Sequence, residues 1–264
     1  MKLTKIILSF IASAMLFSSC ETLSNLLGGN FFNSNLQSES GEQKITPISK
    51  SATKKNSAIQ DTTNWDIASL DTARNVDYLS EIEKDVILEM NKARSDPKKY
   101  AELYIVPFAK KFRSDGTYIK DGVTMMTNEG VAVVNECIKE MSAKKAMEIL
   151  RPEKGLSLAA QSHATSQAKT SQTGHKGTDG SSPFTRIQKY GTFRTAGENI
   201  SYGSKDGQEI VIQLLVDDGI KNRGHRKNIF NSAFTQTGVG YAEGHKTYKA
   251  ECVITYAGGY EEKK

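Results

Sequence analysis

The sequence has few of the residues that metal sites and nucleophilic sites use. Its 264 residues include four histidines and three cysteines. It contains no HExxH helix, CxxC pair, GxSxG elbow or P-loop. The formal charge is only +5, and the lysines are scattered among acids. This excludes the concentrated basic face of nucleic-acid-binding proteins, so we expect no nucleic-acid partner.

The first twenty residues have the pattern of a lipoprotein signal peptide. Two lysines precede an apolar run over residues 6–17, and two serines directly precede Cys20. The run is too short to span a bilayer, and no later apolar stretch is longer. We therefore predict export, cleavage before Cys20 and lipidation of its thiol, which would anchor the protein to the bacterial cell envelope, facing the periplasm or at the cell surface. The alternative is an ordinary secretory peptide with a chance cysteine.

Composition divides the rest of the chain into a linker and a domain. Residues 21–75 are rich in Ser, Asn, Thr, Gln and Lys, which is typical of a flexible polar linker. Residues 76–260 carry helical and strand periodicities, and we predict one folded domain there. Cys137 and Cys252 lie in apolar patterns, where either a disulfide or two buried free thiols would fit.

The domain begins with helices and ends with strands. Ser80 and Glu83 form a capping-box pattern, and further helices are predicted over residues 98–112, from 131 to 141, 157–171 and 208–216. Residues 113–123 are predicted to be a turn-rich connection. Alternation from Tyr248 to Tyr256 predicts a strand, with a partner strand at residues 238–241. This order favours an α/β (α+β) fold, with a mainly antiparallel sheet flanked by helices. On the helix predicted over residues 157–171, Leu158 and Ala164 are expected to point inward.

Two histidines and one glutamate lie in stretches unlike a protein core. His175 follows a glycine in a polar loop, and His225 lies between two arginines. Glu198 lies between them along the chain. Imidazole and carboxylate groups can bind Zn²⁺ or transfer protons, and the alternative is a hydrogen-bonded network that only makes the loops rigid. His163, on a helix among small residues, is expected in the core, and His245, in a turn, is expected to be exposed.

Six stretches, in one order along the chain, carry a family resemblance. They are residues 91–97, 158–168, 174–186, 197–200, 224–229 and 238–241. In them the chain resembles the CAP superfamily of cysteine-rich secretory proteins, antigen 5 and plant pathogenesis-related 1 proteins, especially its bacterial members. The resemblance covers roughly residues 78–260. It implies a CAP-like (SCP-domain) α/β/α sandwich with a central cleft.

The resemblance also implies which residues face the cleft. The family's two cleft histidines and the glutamate of its Gly-Glu-Asn segment fall on His175, His225 and Glu198. The family's fourth cleft acid, a Glu shortly after a Trp, is replaced by a stretch that contains Asp217 and Asp218. If a divalent metal such as Zn²⁺ binds, we expect His175 and His225 as ligands, with Glu198 and Asp218 as further candidates.

Related proteins have several functions, so the resemblance leaves the function open. We favour a binding module whose cleft holds a lipid, glycan or protein ligand. A hydrolase, protease or esterase, would use His175, Glu198 and His225 as its catalytic residues. In a third alternative the polar cluster is structural and the function lies on surface loops.

Overall fold

The computed structural model describes residues 23–24 and 63–264. The predicted leader with Cys20, and most of the predicted linker, lie outside these residues. In the described part, the helices are α1 (Ile67–Leu70), α2 (Glu81–Ser95), α3 (Pro97–Tyr100), α4 (Val106–Ala109), α5 (Val131–Ala143), α6 (Lys154–Thr170), α7 (Pro183–Gln188), α8 (Gly207–Val216) and α9 (Gly224–Ile229), with a π-helical turn at Ala101–Ile105. The strands are β1 (Leu23–Ser24), β2 (Tyr118–Lys120), β3 (Val123–Met125), β4 (Arg151–Pro152), β5 (Gly191–Thr192), β6 (Thr195–Tyr202), β7 (Gln236–Glu243), β8 (Ala250–Gly258) and β9 (Glu261–Glu262).

A five-stranded sheet forms the centre of the fold, in the order β1-β6-β8-β7-β4. All its pairings are antiparallel except that of β4 with β7. Helix α6 packs against β7 and β8, whereas α2 and α8 pack together with the residues of the opposite face. This arrangement confirms the predicted α/β fold with a mainly antiparallel sheet between helices.

Helix α6 lies unusually close to the sheet. A Cβ atom at Gly238 or Gly240 would collide with the backbone of α6, so only small side chains fit between helix and strand. Ala160 and Ala164 occupy this face and are fully buried. Leu158 lies on the other side of the helix and is 41% exposed, so the prediction that it points inward is wrong.

The main core lies between α2, α5, α8 and the sheet. The predicted capping box starts α2 as expected, with the Ser80 backbone N–H donating to Glu83 Oε2 at 2.7 Å. Trp65 and Leu70 are buried in the same core. Packed structure therefore begins before residue 76, where the linker was predicted to end.

The helix predicted over residues 98–112 is interrupted. Pro107 has no N–H to donate to the carbonyl of Leu103, and its ring crowds the preceding turn. The chain widens there into the π-helical turn, in which the Val106 N–H donates to the carbonyl of Ala101. The predicted single helix is therefore three short segments.

The connection predicted to be only turns contains a small hairpin. Strands β2 and β3 pair around Asp121 and Gly122, both of which have positive φ angles of 49° and 77°. An Asp-Gly pair with left-handed backbone is typical of a tight hairpin turn. The first residue of α5, Val131, is 37% exposed.

The two candidate disulfide partners are free thiols. Cys137 and Cys252 are both buried and unpaired with each other. Cys137 Sγ lies 3.3 Å from the carbonyl oxygen of Leu215. Burial raises the pKa of Cys137 to about 12 and raises that of Cys252 as well, so both thiols are protonated and unreactive at neutral pH.

Strand β8 is buried on both faces and contains one acid without a partner. The strand begins at Ala250 rather than at Tyr248 as predicted, because Lys249 has a left-handed φ of 72°. Glu251 is fully buried in the strand, paired in register with Tyr202 and Ala242. In the described structure neither of its carboxylate oxygens has a hydrogen-bond partner. Burial raises the pKa of Glu251 to about 7.

We predict that Glu251 makes folding stability fall as the pH rises from 5 to 8. Its pKa is raised in the folded state, so in this range the folded protein holds a proton that the unfolded chain has released. The effect should approach about 3 kcal/mol above pH 8. Urea unfolding at several pH values should therefore show a shallower decline for Glu251→Gln than for wild type.

Glu262→Gln is the matched control, because Glu262 is exposed on β9. Its pH profile should follow wild type. If Glu251→Gln also follows wild type, Glu251 is not held as the buried, isolated carboxyl seen here.

Candidate functional site

Glu198 lies at the centre of a buried ion pair on β6. Its side chain is only 1% exposed. One carboxylate oxygen lies 2.9 Å from His175 Nδ1, and the other accepts a hydrogen bond from Arg186 Nη2 at 2.8 Å. Arg186, on α7, also donates to the carbonyl of His175 at 3.0 Å. The predicted contact between His175 and Glu198 is therefore present in the structure, and Arg186 is a third member of the group.

These partners keep Glu198 charged inside the protein. Burial alone would raise the pKa of Glu198, but the hydrogen bond from His175 and the positive charge of Arg186 lower it below its usual range. An unpaired buried carboxylate would be strongly disfavoured. The ring of His175 is 31% exposed, and its Nδ1 is held by Glu198. Its Nε2 is therefore the nitrogen available to a ligand.

Helix α6 fixes the loop that carries His175. The carbonyl of Gly174 accepts hydrogen bonds from Gln167 Nε2 at 2.6 Å and contacts His163 Nε2 at 2.9 Å. The Gly174 N–H donates to the hydroxyl of Tyr202 on β6 at 2.9 Å. His163 is buried, as predicted, and burial lowers its pKa. A neutral, structural His163 thus positions the loop.

His225 forms a second histidine–carboxylate pair. Asp217 ends α8 with a left-handed φ of 59°, which turns its side chain toward the start of α9. Its Oδ1 lies 2.7 Å from His225 Nδ1, and its Oδ2 accepts the His225 backbone N–H at 2.9 Å. The candidate ligand Asp218 lies elsewhere: its carboxylate accepts the backbone N–H groups of Asn128 and Glu129. The structure therefore places Asp217, not Asp218, beside His225.

The arginines around His225 are paired with glutamates of α5 and of the turn before it. Arg223 binds Glu129 and Glu136, at 2.7 and 2.9 Å. Arg226 binds Glu136 at 3.0 Å and Glu140 at 2.6 Å. These ion pairs attach α9 to α5 and so help to fix the position of His225.

Neighbouring residues of β6 point to opposite faces of the strand, and each contacts one of the two histidine segments. Glu198 shares its face with Ala196 and Ile200, which pack with residues of α6. Asn199, on the other face, donates to the carbonyl of His225 at 3.0 Å. Successive side chains of a strand point to opposite faces. No hydrogen bond joins one pair to the other among the described residues.

A cleft of about 630 Å³ opens beside one of the pairs. His225 and Asp217 line it, together with Tyr202 at the end of β6, whereas His175 and Glu198 do not. Much of its wall is aromatic. The rings of Phe108, Phe112 and Tyr118 lie within 5.3 Å of one another, centroid to centroid.

The predicted metal site is only partly matched by the donor set. Each imidazole donates from Nδ1 to a carboxylate oxygen, which is how metal-binding histidines are commonly oriented. Within the described part of the chain, however, no three His, Cys, Asp or Glu side chains are grouped closely enough to hold a metal ion. A metal bound here would rely on the Nε2 atoms of His175 and His225 and on water.

His245 is buried, so the prediction that it is exposed is wrong. It is 1% exposed, and its ring packs against Tyr202 and Tyr248, with centroid separations of 5.9 and 5.0 Å. Its Nδ1 accepts the backbone N–H groups of Thr247 and Tyr248. A turn with its own aromatic cluster can thus bury a residue that the turn pattern alone would expose.

The chain is similar to known proteins over the region that contains these residues. The family model "CAP: Cysteine-rich secretory protein family" matches residues 89–257, which include both histidine–carboxylate pairs. A curated Bacillus subtilis (strain 168) protein, "Uncharacterized protein YkwD", is 29% identical over 136 residues. The match covers 50% of this chain and 51% of that protein, so the chain spans about half the length of this relative.

Two solved structures show similarity at low identity. An extracellular protein containing a SCP domain from Bacillus anthracis str. Ames has a TM-score of 0.36 and 20% identity, covering 49% of this chain and 38% of that one. An outer surface protein from Borrelia burgdorferi has a TM-score of 0.36 and 16% identity, covering 43% of this chain and 80% of that one.

We predict that Arg186→Met destabilises the fold by about 3 to 5 kcal/mol, because it leaves the Glu198 carboxylate buried without its cationic partner. Chemical unfolding at pH 7 would measure the loss. Arg113→Met, at an exposed position, should change stability by less than about 0.5 kcal/mol.

The double variant Arg186→Met with Glu198→Gln should recover part of the stability, because it removes the unpaired charge. If the single Arg186 variant is as stable as wild type, the ion pair does not hold this site together.

Proposed function

This chain belongs to the cysteine-rich secretory protein family, CAP, and on that premise we propose that it is an exported binding module. Its ligand is an amphipathic molecule whose apolar part lies in the cleft beside His225. The observation that carries the proposal is the cleft itself, with an aromatic wall and one histidine–carboxylate pair at its side.

The cleft has the size and lining of a small-molecule site. Ligand sites commonly enclose about 300 to 1,000 Å³ and combine apolar walls with a few fixed polar groups, and this cleft measures about 630 Å³. The aromatic wall supplies apolar contact. Asp217 and His225 supply polar groups whose orientation is fixed by the hydrogen bond between them.

The rim of the cleft is also apolar. Ile119, Met126 and Ile220 line the cleft and are exposed by 43%, 50% and 39%. Exposed large apolar side chains that adjoin one another often mark an interaction site. Such a rim favours a ligand with a long apolar part over a fully polar glycan.

Export and lipid anchoring rest on the leader alone. The charged start, the short apolar run and the Ser-Ser-Cys20 sequence support cleavage and lipidation. Within the described residues, no helix is long and apolar enough to cross a membrane. A lipid on Cys20 would keep the cleft near a membrane, where amphipathic ligands are concentrated.

Zinc is a separate part of the proposal. The ion would bind through Nε2 of His175 and His225, because the carboxylates occupy the other ring nitrogens. Calorimetric titration of the purified domain near neutral pH should then show micromolar binding that His225→Ala abolishes. If the wild-type protein binds no zinc, the proposal of a metal at these histidines is wrong.

A hydrolase is the second candidate, and the pair of His225 with Asp217 in the cleft favours it. A carboxylate that holds a histidine at Nδ1 leaves Nε2 to act as a general base. Against it, no serine or cysteine in the described residues hydrogen bonds to either ring. Turnover of a casein and ester panel that His225→Ala eliminates would support this candidate, and turnover that survives the substitution would exclude the assigned residues.

We predict that the purified protein binds a neutral single-chain amphiphile, octaethylene glycol monododecyl ether, below its micellar concentration. The double variant Ile119→Ser with Met126→Ser should weaken binding about tenfold, because each substitution removes apolar contact area at the rim. Isothermal titration calorimetry would measure both affinities.

Leu158→Ser is the matched control. Leu158 is also exposed, but it lies on α6 outside this cleft. Its affinity should equal that of wild type. Binding that is absent in wild type, or that is lowered equally by the rim and control substitutions, would contradict a ligand in this cleft.

A further inference from the structure

The cleft is apolar in its walls but negatively charged overall. Its lining contains five carboxylates against two lysines. The carboxylates are those of Asp121, Asp206, Glu209, Asp217 and Asp218, and the lysines are Lys111 and Lys120. Counting these carboxylates and lysines alone, the excess is three negative charges.

Protein contacts cancel only part of this charge. Lys120 binds Glu209 at 2.6 Å, so those two charges offset each other. Asp206 and Asp218 accept hydrogen bonds from backbone N–H groups, and Asp217 holds His225. Backbone N–H groups satisfy a carboxylate without neutralising it, so the negative potential of the cleft remains.

The aromatic wall of the cleft also favours a positively charged ligand. Phe108, Phe112 and Tyr118 form a cluster of adjoining rings beside the acids. The face of an aromatic ring attracts a cation, and quaternary ammonium groups bind well between such rings. Two independent features of one cavity, its charge and its rings, therefore point to a positively charged group.

We infer that the ligand of this cleft is a cationic amphiphile: an apolar chain that carries an ammonium or similar positive head group. The inference rests on the proposed function and adds to it the sign of the head group. Anionic amphiphiles of the same length, such as fatty acids, are disfavoured because they would bring a fourth negative charge into the cleft.

Three probes with the same dodecyl chain test the inference: dodecyltrimethylammonium, octaethylene glycol monododecyl ether and dodecanoate. All are titrated calorimetrically below their micellar concentrations at low salt. We expect the cation to bind about tenfold more tightly than dodecanoate, with the neutral probe between them. Added salt should narrow the difference, because exposed charges are screened.

Two substitutions remove charge while they keep the backbone conformation. Asp121 has a left-handed φ of 49°, which Asn tolerates, and Asp206 is the N-cap of α8, where Asn is equally suited. Asp121→Asn with Asp206→Asn should lower the preference for the cation over dodecanoate about threefold or more. Asp96→Asn is the matched control: Asp96 caps α3 outside the cleft, and the preference should stay unchanged.

The outcomes separate the inference from the proposed function. If none of the three probes binds, the proposal that the cleft binds an amphiphile is contradicted, and the inference about its charge is contradicted with it. If the neutral probe binds but dodecanoate binds as tightly as the cation, or more tightly, the cleft stands and the charge inference is overturned. A preference that the paired Asn variant leaves unchanged would also overturn it.

Discussion

The alternation of side chains along β6 is the constraint on which the site depends. Glu198 points toward α6, where Arg186 and the His175 loop meet it, and Asn199 points the opposite way, toward the backbone of His225. Eight residues of β6 pair with β8, so neither side chain can turn to the other face without breaking the sheet register. One strand thus fixes His175 through the Glu198 carboxylate and the His225 segment through the Asn199 amide.

The two pairs differ in what surrounds them. Glu198 is closed in by a buried arginine, and the loop of its partner His175 is bonded to α6, which suits a structural role for that side. His225 and Asp217 face a cleft with apolar walls and an excess of acids. Tyr202 lines that cleft, and its hydroxyl accepts a hydrogen bond from the Gly174 N–H. This one side chain therefore contacts both the cleft and the loop of His175.

Much of the fold could be predicted from periodicity and caps. Helix α2 and its capping box are local signals that tertiary packing reinforces. The rest depended on contacts distant in sequence. Gly197–Ile200 belongs to a polar, glycine-rich stretch and forms a strand only because β8 pairs with it. Leu158 was misassigned because the face of α6 that meets the sheet carries Leu156, Ala160 and Ala164, all fully buried, and no local pattern identifies that face.

The candidate site was predicted in part for the same reason. Family motifs identified His175, Glu198 and His225, and the motif over residues 174–186 ends at Arg186, but no signal distinguishes Asp217 from the neighbouring Asp218. The left-handed end of α8 decides which aspartate meets His225. The aromatic wall comes from residues 104–118, where Pro107 and the hairpin set the backbone, and it lies outside the motifs.

The most direct test of a ligand in the cleft is mass spectrometry of small molecules released from the protein purified from its native membrane. The account predicts one enriched amphiphile with an apolar chain and a cationic head, present with wild type and depleted when Ile119 and Met126 are both replaced by Ser. Release of no such molecule, or equal release from the two proteins, would contradict it.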